Sequence, residues 1–376
     1  MIRSLRPVRA ALVVLVVAGA AVVPANAAFA DSIRDRQWYL TDLDIAQAHQ
    51  VTKGAGVTIA LIDSGVEADH RDLRGAVLPG TDVNSGRGGD GRFDTDGHGT
   101  EMAGIIAGRG HGSGDGVLGI APAAKILPIS APTDTLTTSN YMTAAVDFAI
   151  AHHATVINMS FGTGDDAALH AAIGKARAAD IVLVAASGNG TKDGLDYPGL
   201  YPEVLTVGAY GRDGQVASFS TTGSQVDLVA PGVDIVTTGD QSADDYYDGQ
   251  GTSEATAVVS GAAALLRARY PQLSAPEIVH RLTATAVDAG PKGRDDSYGY
   301  GRLDIVKALT ADVPTLGSSA APTKAATAAP GGTSAAGPGD LPTAKSPVLL
   351  VGVGVVVLLG LVLIVVLVTR GRRRAR

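Results

Sequence analysis

Val57-Thr58-Ile59-Ala60-Leu61-Ile62-Asp63-Ser64-Gly65 is the stretch on which the fold turns. Its first six residues form a continuous run rich in β-branched side chains, the pattern of a strand covered on both faces rather than of a half-exposed one. Strands of that kind belong to parallel sheets. The run stops at Asp63, which puts a carboxylate at the carboxyl end of a buried strand, where open α/β sheets bind their ligands. A lone Asp-Ser-Gly also suits a plain turn, so its meaning depends on what surrounds it.

Downstream, strand and helix patterns alternate, which implies parallel strands joined by helical crossovers. Strands are predicted over 124–129, 155–159, 181–186, 201–209 and 226–231, and helices over 140–153, 167–179 and 275–285. The fold class is therefore α/β with a mainly parallel central sheet. Hydrophobic residues make up 45% of the 376-residue chain, with 48 glycines and few aromatics, which suits a closely packed core of Ala, Val, Ile and Leu. The formal charge of −7 argues against nucleic acid as a partner, because phosphate binding needs a basic face. With no cysteine, thiol catalysis, disulfides and thiolate metal sites are excluded.

Two further stretches carry chemistry. Asp94-Thr95-Asp96-Gly97-His98-Gly99-Thr100 leads into the small-residue helical run 102–108, so His98 stands at a helix's first turn. The other seven histidines lack such a frame and read mostly as surface groups. Gly251-Thr252-Ser253-Glu254-Ala255 opens a second apolar helix, continued by Val258, Val259, Ala262, Ala263, Leu265 and Leu266. A serine there meets unpaired backbone N–H groups, which stabilise an oxyanion as readily as they accept a cap. Ser187-Gly188-Asn189-Gly190 follows a strand, so Asn189 also projects from a carboxyl end, although a turn asparagine before glycine fits equally. The glycine-rich 108–116 segment follows a helix and has no Gly-Lys-Ser/Thr, so it is not a phosphate loop.

Asp63, His98 and Ser253 occur in the chain order of one known serine-protease arrangement. At this point the chain resembles the subtilisin-like serine proteases, family S8. The resemblance rests on 57–65, 96–108, 157–162, 185–189, 218–232 and 251–261, and runs through nearly all of 50–309. It implies a subtilisin-like three-layer fold and serine endopeptidase activity with Asp63, His98 and Ser253 as a catalytic triad. It implies that Asn189 donates to the oxyanion, that Ser160, Phe161 and Gly162 pair with an extended substrate, and that Gly188 lines the pocket for the residue before the cut. Within the family the chain looks most like the membrane-anchored mycosins of type VII secretion systems, from Gln37-Trp38-Tyr39-Leu40, a proline-containing stalk and a C-terminal anchor. Polypeptide substrates and the secretion machinery are the partners so implied. A scaffold of the secretion complex with dispensable proteolysis is the rival reading.

The chain ends fit that picture. Arg3, Arg6 and Arg9 precede the apolar run 11–23 and small residues after it, the pattern of a secretory signal peptide over 1–30. An extension over 31–54, too short for a domain-sized propeptide, leads to a peptidase domain over 55–310. A stalk of mostly Ala, Pro, Thr, Gly and Ser covers 311–346. The uncharged segment 347–368 is long enough, at about 1.5 Å per residue, to cross a lipid bilayer. The arginine-rich tail 369–376 marks the cytoplasmic side, leaving the catalytic domain extracytoplasmic at the cell membrane. No cofactor and no metal cluster are expected, and the sequence is silent on calcium.

Three residues depart from the family pattern: Glu254 after the serine, Ala257 in place of a usual proline, and Glu101 one turn beyond His98. Carboxylates near the imidazole are expected to raise its pKa. With Asp244, Asp245 and Asp248 they are also expected to favour basic residues in substrates.

Overall fold

A computed structural model gives the fold and describes residues 32–83, 89–112, 114–132, 139–190 and 194–316. The expected signal peptide, membrane helix and basic tail, and all but the first residues of the stalk, lie outside these. Among the described residues no helix is long and apolar enough to cross a membrane.

Three short helices come first, α1 (Ser32–Arg36), α2 (Trp38–Asp42) and α3 (Ile45–Val51), and lead into β1 (Thr58–Asp63). Then follow β2 (Thr81–Asp82), α4 (His98–Ala107), β3 (Arg109–His111), β4 (Asp115–Leu118), β5 (Lys125–Ser130), α5 (Ser139–Ala151), β6 (Val156–Met159) and α6 (Ala167–Ala178). The remainder is β7 (Val182–Ala186), β8 (Leu205–Tyr210), β9 (Leu228–Pro231), β10 (Ile235–Thr238), β11 (Tyr246–Gly249), α7 (Thr252–Arg269), α8 (Ala275–Ala284) and α9 (Ile305–Thr310). Seven strands form one sheet in the order β2-β5-β1-β6-β7-β8-β9. Every pairing in it is parallel.

The period of two in β1 sorts its side chains between two cores. Ile59 and Leu61 face α4 and α7, while Ala60 and Ile62 face α5 and α6. Strand β7, on the far side of β6, does the same, with Val182 and Val184 on the first face and Leu183 and Ala185 on the second. Burial on both faces is why these strands read as unbroken apolar runs. Helix α7 is buried from Thr252 through Arg267. Its small residues allow that depth: a Cβ on Gly261 would lie 2.6 Å from the Ile120 Cβ. Truncating a fully buried side chain such as Leu265 to alanine costs about 2–5 kcal/mol.

The segment before β1 belongs to the same core, since Tyr39, Leu43, Ile45 and Ala48 are buried with the sheet residues. Gln37 stitches it to β4, its side chain donating to the Leu118 carbonyl at 3.0 Å and accepting from the Leu118 N–H at 2.9 Å. Trp38 donates its indole N–H to the Val233 carbonyl at 3.0 Å, and the Tyr39 hydroxyl donates to Val236 at 3.2 Å.

Several expectations need correction. The strand predicted from Tyr201 begins at Leu205, because Tyr201 to Val204 close a turn with a 3.0 Å bond from the Val204 N–H to the Tyr201 carbonyl. Pro202, which lacks an N–H, suits that turn and not a ladder. The antiparallel pairs β3–β4 and β10–β11 escaped the reading. Their strands are too short for a periodic pattern. His70 and His111 are not surface groups. His70 is fully buried with its Nε2 against the Asp245 carbonyl at 2.8 Å, and His111 Nδ1 meets the buried Asp72 carboxylate at 2.6 Å.

Candidate active site

The end of β1 and the start of α4 are joined by their own side chains. The Gly99 N–H donates to Ser64 Oγ at 2.9 Å, and the Thr100 N–H donates to Asp94 Oδ2 at 2.8 Å. Those donors are left over at a helix start, and neither is satisfied by the residue just before the helix, Gly97. Asp94 also accepts from the Gly97 N–H at 3.0 Å and the Thr100 hydroxyl at 2.6 Å. Sequence reasoning passed over Asp94 as a positioning residue. Its signal was a carboxylate four residues ahead of the helix, in reach of the loop it closes. Gly99 is required by the approach, since a Cβ there would sit 2.0 Å from the Gly65 carbonyl oxygen.

This junction brings Asp63 and His98 together. His98 Nδ1 donates to Asp63 Oδ1 at 2.8 Å, and the same oxygen accepts the Ser64 N–H at 2.8 Å. Asp63 is buried and His98 partly so. Because a carboxylate only accepts, the bond fixes the Nδ1–H tautomer and leaves Nε2 as the basic nitrogen. Burial opposes the imidazolium, but the Asp63 charge and hydrogen bond, helped by Glu254 and Glu101, outweigh it and push the His98 pKa up to about 10. Burial pushes Glu101 up to about 8; His98 opposes that rise, and the Glu254, Asp63 and Asp94 carboxylates add to it. Glu254 is raised as well, by burial and then by Asp63, against the pull of its own backbone N–H and of His98.

Ser253 lies in the first turn of α7 and shares a cleft with His98, Glu101, Asn189 and Glu254. The cleft measures about 460 Å³. The Ser253 hydroxyl donates to the Ser160 carbonyl at 3.4 Å, and no hydrogen bond joins it to His98. At that length the bond is weak. Thr252 and Ser253 do not cap their own helix. Asn189 does so from the end of β7, its Oδ1 accepting the Thr252 N–H at 2.9 Å and the Thr252 hydroxyl at 3.0 Å. A backbone N–H only donates, so this bond also settles the amide orientation and leaves Asn189 Nδ2 as the donor end.

Asn158, which the alternation of β6 turns toward α7, completes a buried polar ladder. Ser260 donates to Asn158 Oδ1 at 2.9 Å, Asn158 donates to Ser160 Oγ at 3.0 Å, and Ser160 Oγ donates to the Ser253 carbonyl at 3.3 Å. Of the expected substrate segment, Ser160 thus touches Ser253, the Phe161 side chain packs into the core beneath α5 and α6, and Gly162 stands against Asp196. Gly188 adopts φ 101°, which favours glycine, and its N–H donates to the Thr252 hydroxyl at 3.2 Å. Of the five acids expected to attract basic substrates, Glu101, Glu254 and Asp248 line the cleft and the other two aspartates do not. Asp244 instead pairs with Arg71 at 2.9 Å, and Asp245 Oδ2 accepts the Gln241 N–H at 3.2 Å.

The chain as a whole is similar to known proteins. Residues 54–301 match the subtilase family model. The chain is 37% identical to subtilisin DY of Bacillus licheniformis over 271 residues, 70% of this chain and 93% of that one. It is 35% identical to mycosin-1 of Mycobacterium tuberculosis over 343 residues, 76% of either chain. A crystal structure of MycP1 with its N-terminal propeptide removed superposes with a TM-score of 0.67 at 33% identity, covering 74% of this chain and 98% of that one. The MycP3 protease from the type VII (ESX-3) secretion system gives 0.64 at 32% identity, covering 73% and 88%. The family model, the sequence identities and the structural likeness agree, and the chain belongs to the subtilase family of serine proteases, as a mycosin-like member.

Proposed function

We propose that the protein is a membrane-tethered, extracytoplasmic serine endopeptidase working through Asp63, His98, Ser253 and Asn189, in the setting of a type VII secretion system. The observation that carries the chemistry is the 2.8 Å bond between His98 Nδ1 and Asp63 Oδ1 in a cleft that also holds Ser253. Rotation about χ1 of Ser253 exchanges the weak Ser160 bond for one to His98 Nε2; such contacts are often loose before substrate binds. His98 then takes the hydroxyl proton as Oγ bonds to the scissile carbonyl carbon. The oxyanion so formed accepts from the Ser253 N–H and from Asn189 Nδ2, a donor of that kind being worth about 2.7–4 kcal/mol. Collapse breaks the C–N bond, His98 protonates the departing amine, and an acyl-enzyme remains. Water, deprotonated by His98, releases the acid and restores Ser253.

The extracytoplasmic and membrane assignments draw on the sequence pattern of both chain ends, including the uncharged run 347–368 and the arginines after it. The secretion setting draws on the likeness to mycosin-1 and to the MycP3 protease. Residues 160–162 and Gly188 would hold the substrate as an added strand and receive the residue before the cut. The displaced Ser253 hydroxyl favours one rival, a scaffold that stabilises the secretion complex without cleaving. Ser253→Ala separates them. Chemistry predicts a fall in turnover on the order of a millionfold together with impaired processing; an unchanged secretion profile and unchanged cleavage would overturn the proteolytic reading.

A further inference from the structure

The reaction above makes no use of the carboxyl of Glu254. It is 4% exposed and lines the cleft next to Ser253. Among the described residues, its own backbone N–H is the hydrogen-bond partner its side chain has. Glu101, Asp234 and Asp248 line the same cleft, and no lysine or arginine does. Arg36 reaches the rim to pair with Asp248, and the inner two carboxyls feel the charge of His98, whose Nδ1–H already goes to Asp63. A buried acid without a cation hydrogen-bonded to it is held at a cost in desolvation. A cation arriving with the bound molecule relieves it.

The cleft also has a direction. Gly188, assigned above to the residue before the cut, does not line it, nor do Ser160, Phe161 and Gly162, assigned to pairing with the extended substrate. It opens from Ser253 and His98 toward β11, so its occupant is the portion of substrate beyond the scissile bond. Tyr247 stands half exposed at the mouth. A Cβ built on Gly249 would lie 2.3 Å from Glu254 Oε1 and 3.4 Å from Tyr247 Cε1, so that glycine keeps the acid and the ring side by side. An aromatic ring next to a carboxylate suits a long cationic side chain, which packs its stem on the one and sets its head on the other.

We infer that Glu254, supported by Glu101, forms a specificity pocket for a lysine or arginine side chain on the leaving-group side of the scissile bond. The inference rests on the proteolytic reading and adds a substrate class to it. Arginine, with its planar fork, makes the better partner for a carboxylate.

The test uses the full-length protein and quenched fluorescent peptides that differ only in the residue after the scissile bond, Arg, Lys, Ala or Glu, assayed at alkaline pH where the acids are ionised. Expected is a kcat/KM for the Arg and Lys peptides about tenfold or more above that for Glu, the effect of one charge-assisted hydrogen bond. Glu254→Gln should shrink that ratio; being taken within one enzyme, the ratio is independent of its overall activity. An enzyme that cleaves through Ser253 with equal rates on all four peptides overturns the inference and leaves the proteolytic reading standing. If nothing is cleaved, the same peptides are titrated onto Ser253→Ala, and equal affinities overturn the pocket while the missing turnover counts separately against the protease.

Discussion

Asn189 caps the helix that carries Ser253: its Oδ1 takes the Thr252 N–H at 2.9 Å, and that bond turns Nδ2 into the free donor. One side chain thus positions the candidate nucleophile and, in the mechanism proposed above, donates to the oxyanion. The two roles separate by substitution. Asn189→Asp keeps the acceptor and removes the donor, so kcat should fall about a hundred- to thousandfold with stability largely kept. Asn189→Ala removes both and should lose about 1 kcal/mol of stability besides. Steady-state kinetics alongside urea denaturation check this.

The pH dependence follows from the acids around His98. The histidine must be neutral to accept a proton, and its pKa stands near 10, so kcat/KM should climb with pH through the alkaline range. Glu254 and Glu101 both push that value up. Glu254→Gln and Glu101→Gln should therefore move the acid limb to lower pH, and a pH–rate profile that stays in place in both variants contradicts the assignment.

Asp63 fixes the imidazole tautomer through a single oxygen. Asp63→Asn keeps the shape of the site but offers an N–H or a neutral oxygen to Nδ1. By analogy with the same change in other serine proteases, kcat should fall about ten-thousandfold. Activity of this variant is measured on the same peptide series, with circular dichroism to verify the fold.

The ladder Ser260, Asn158, Ser160 ties β6 to the start of α7. Asn158→Leu strips it, leaving the buried Ser260 hydroxyl without its acceptor and Ser160 Oγ without its donor. The expected loss is about 1–3 kcal/mol for each group left without a partner, read as a lower urea midpoint. Activity should fall with it, because Ser160 Oγ holds the Ser253 carbonyl and with it the first turn of α7.

The parts of the fold legible in the sequence are those set by long periodic runs. The β-branched run ending at Asp63, the helix opening at His98 and the one opening near Ser253 were each readable, because burial on both faces leaves an unmistakable pattern. What could not be read depends on contacts between distant residues. Asn189 capping Thr252 and Asn158 reaching Ser260 are polar bonds between residues far apart in the chain, and no local spacing encodes them. The β10–β11 pair that walls the cleft was missed for a related reason, as each strand is four residues long and one is largely exposed. This hairpin brings Asp248 to the cleft.

The claim that Ser253 is a nucleophile activated by His98 is tested most directly by fluorophosphonate labelling of the full-length protein, with the modified peptide mapped by mass spectrometry. A single adduct on Ser253, forming faster as pH rises and nearly abolished by His98→Ala, is the predicted result. Label on a different serine, or a Ser253 that stays unmodified at alkaline pH in folded protein, would contradict it.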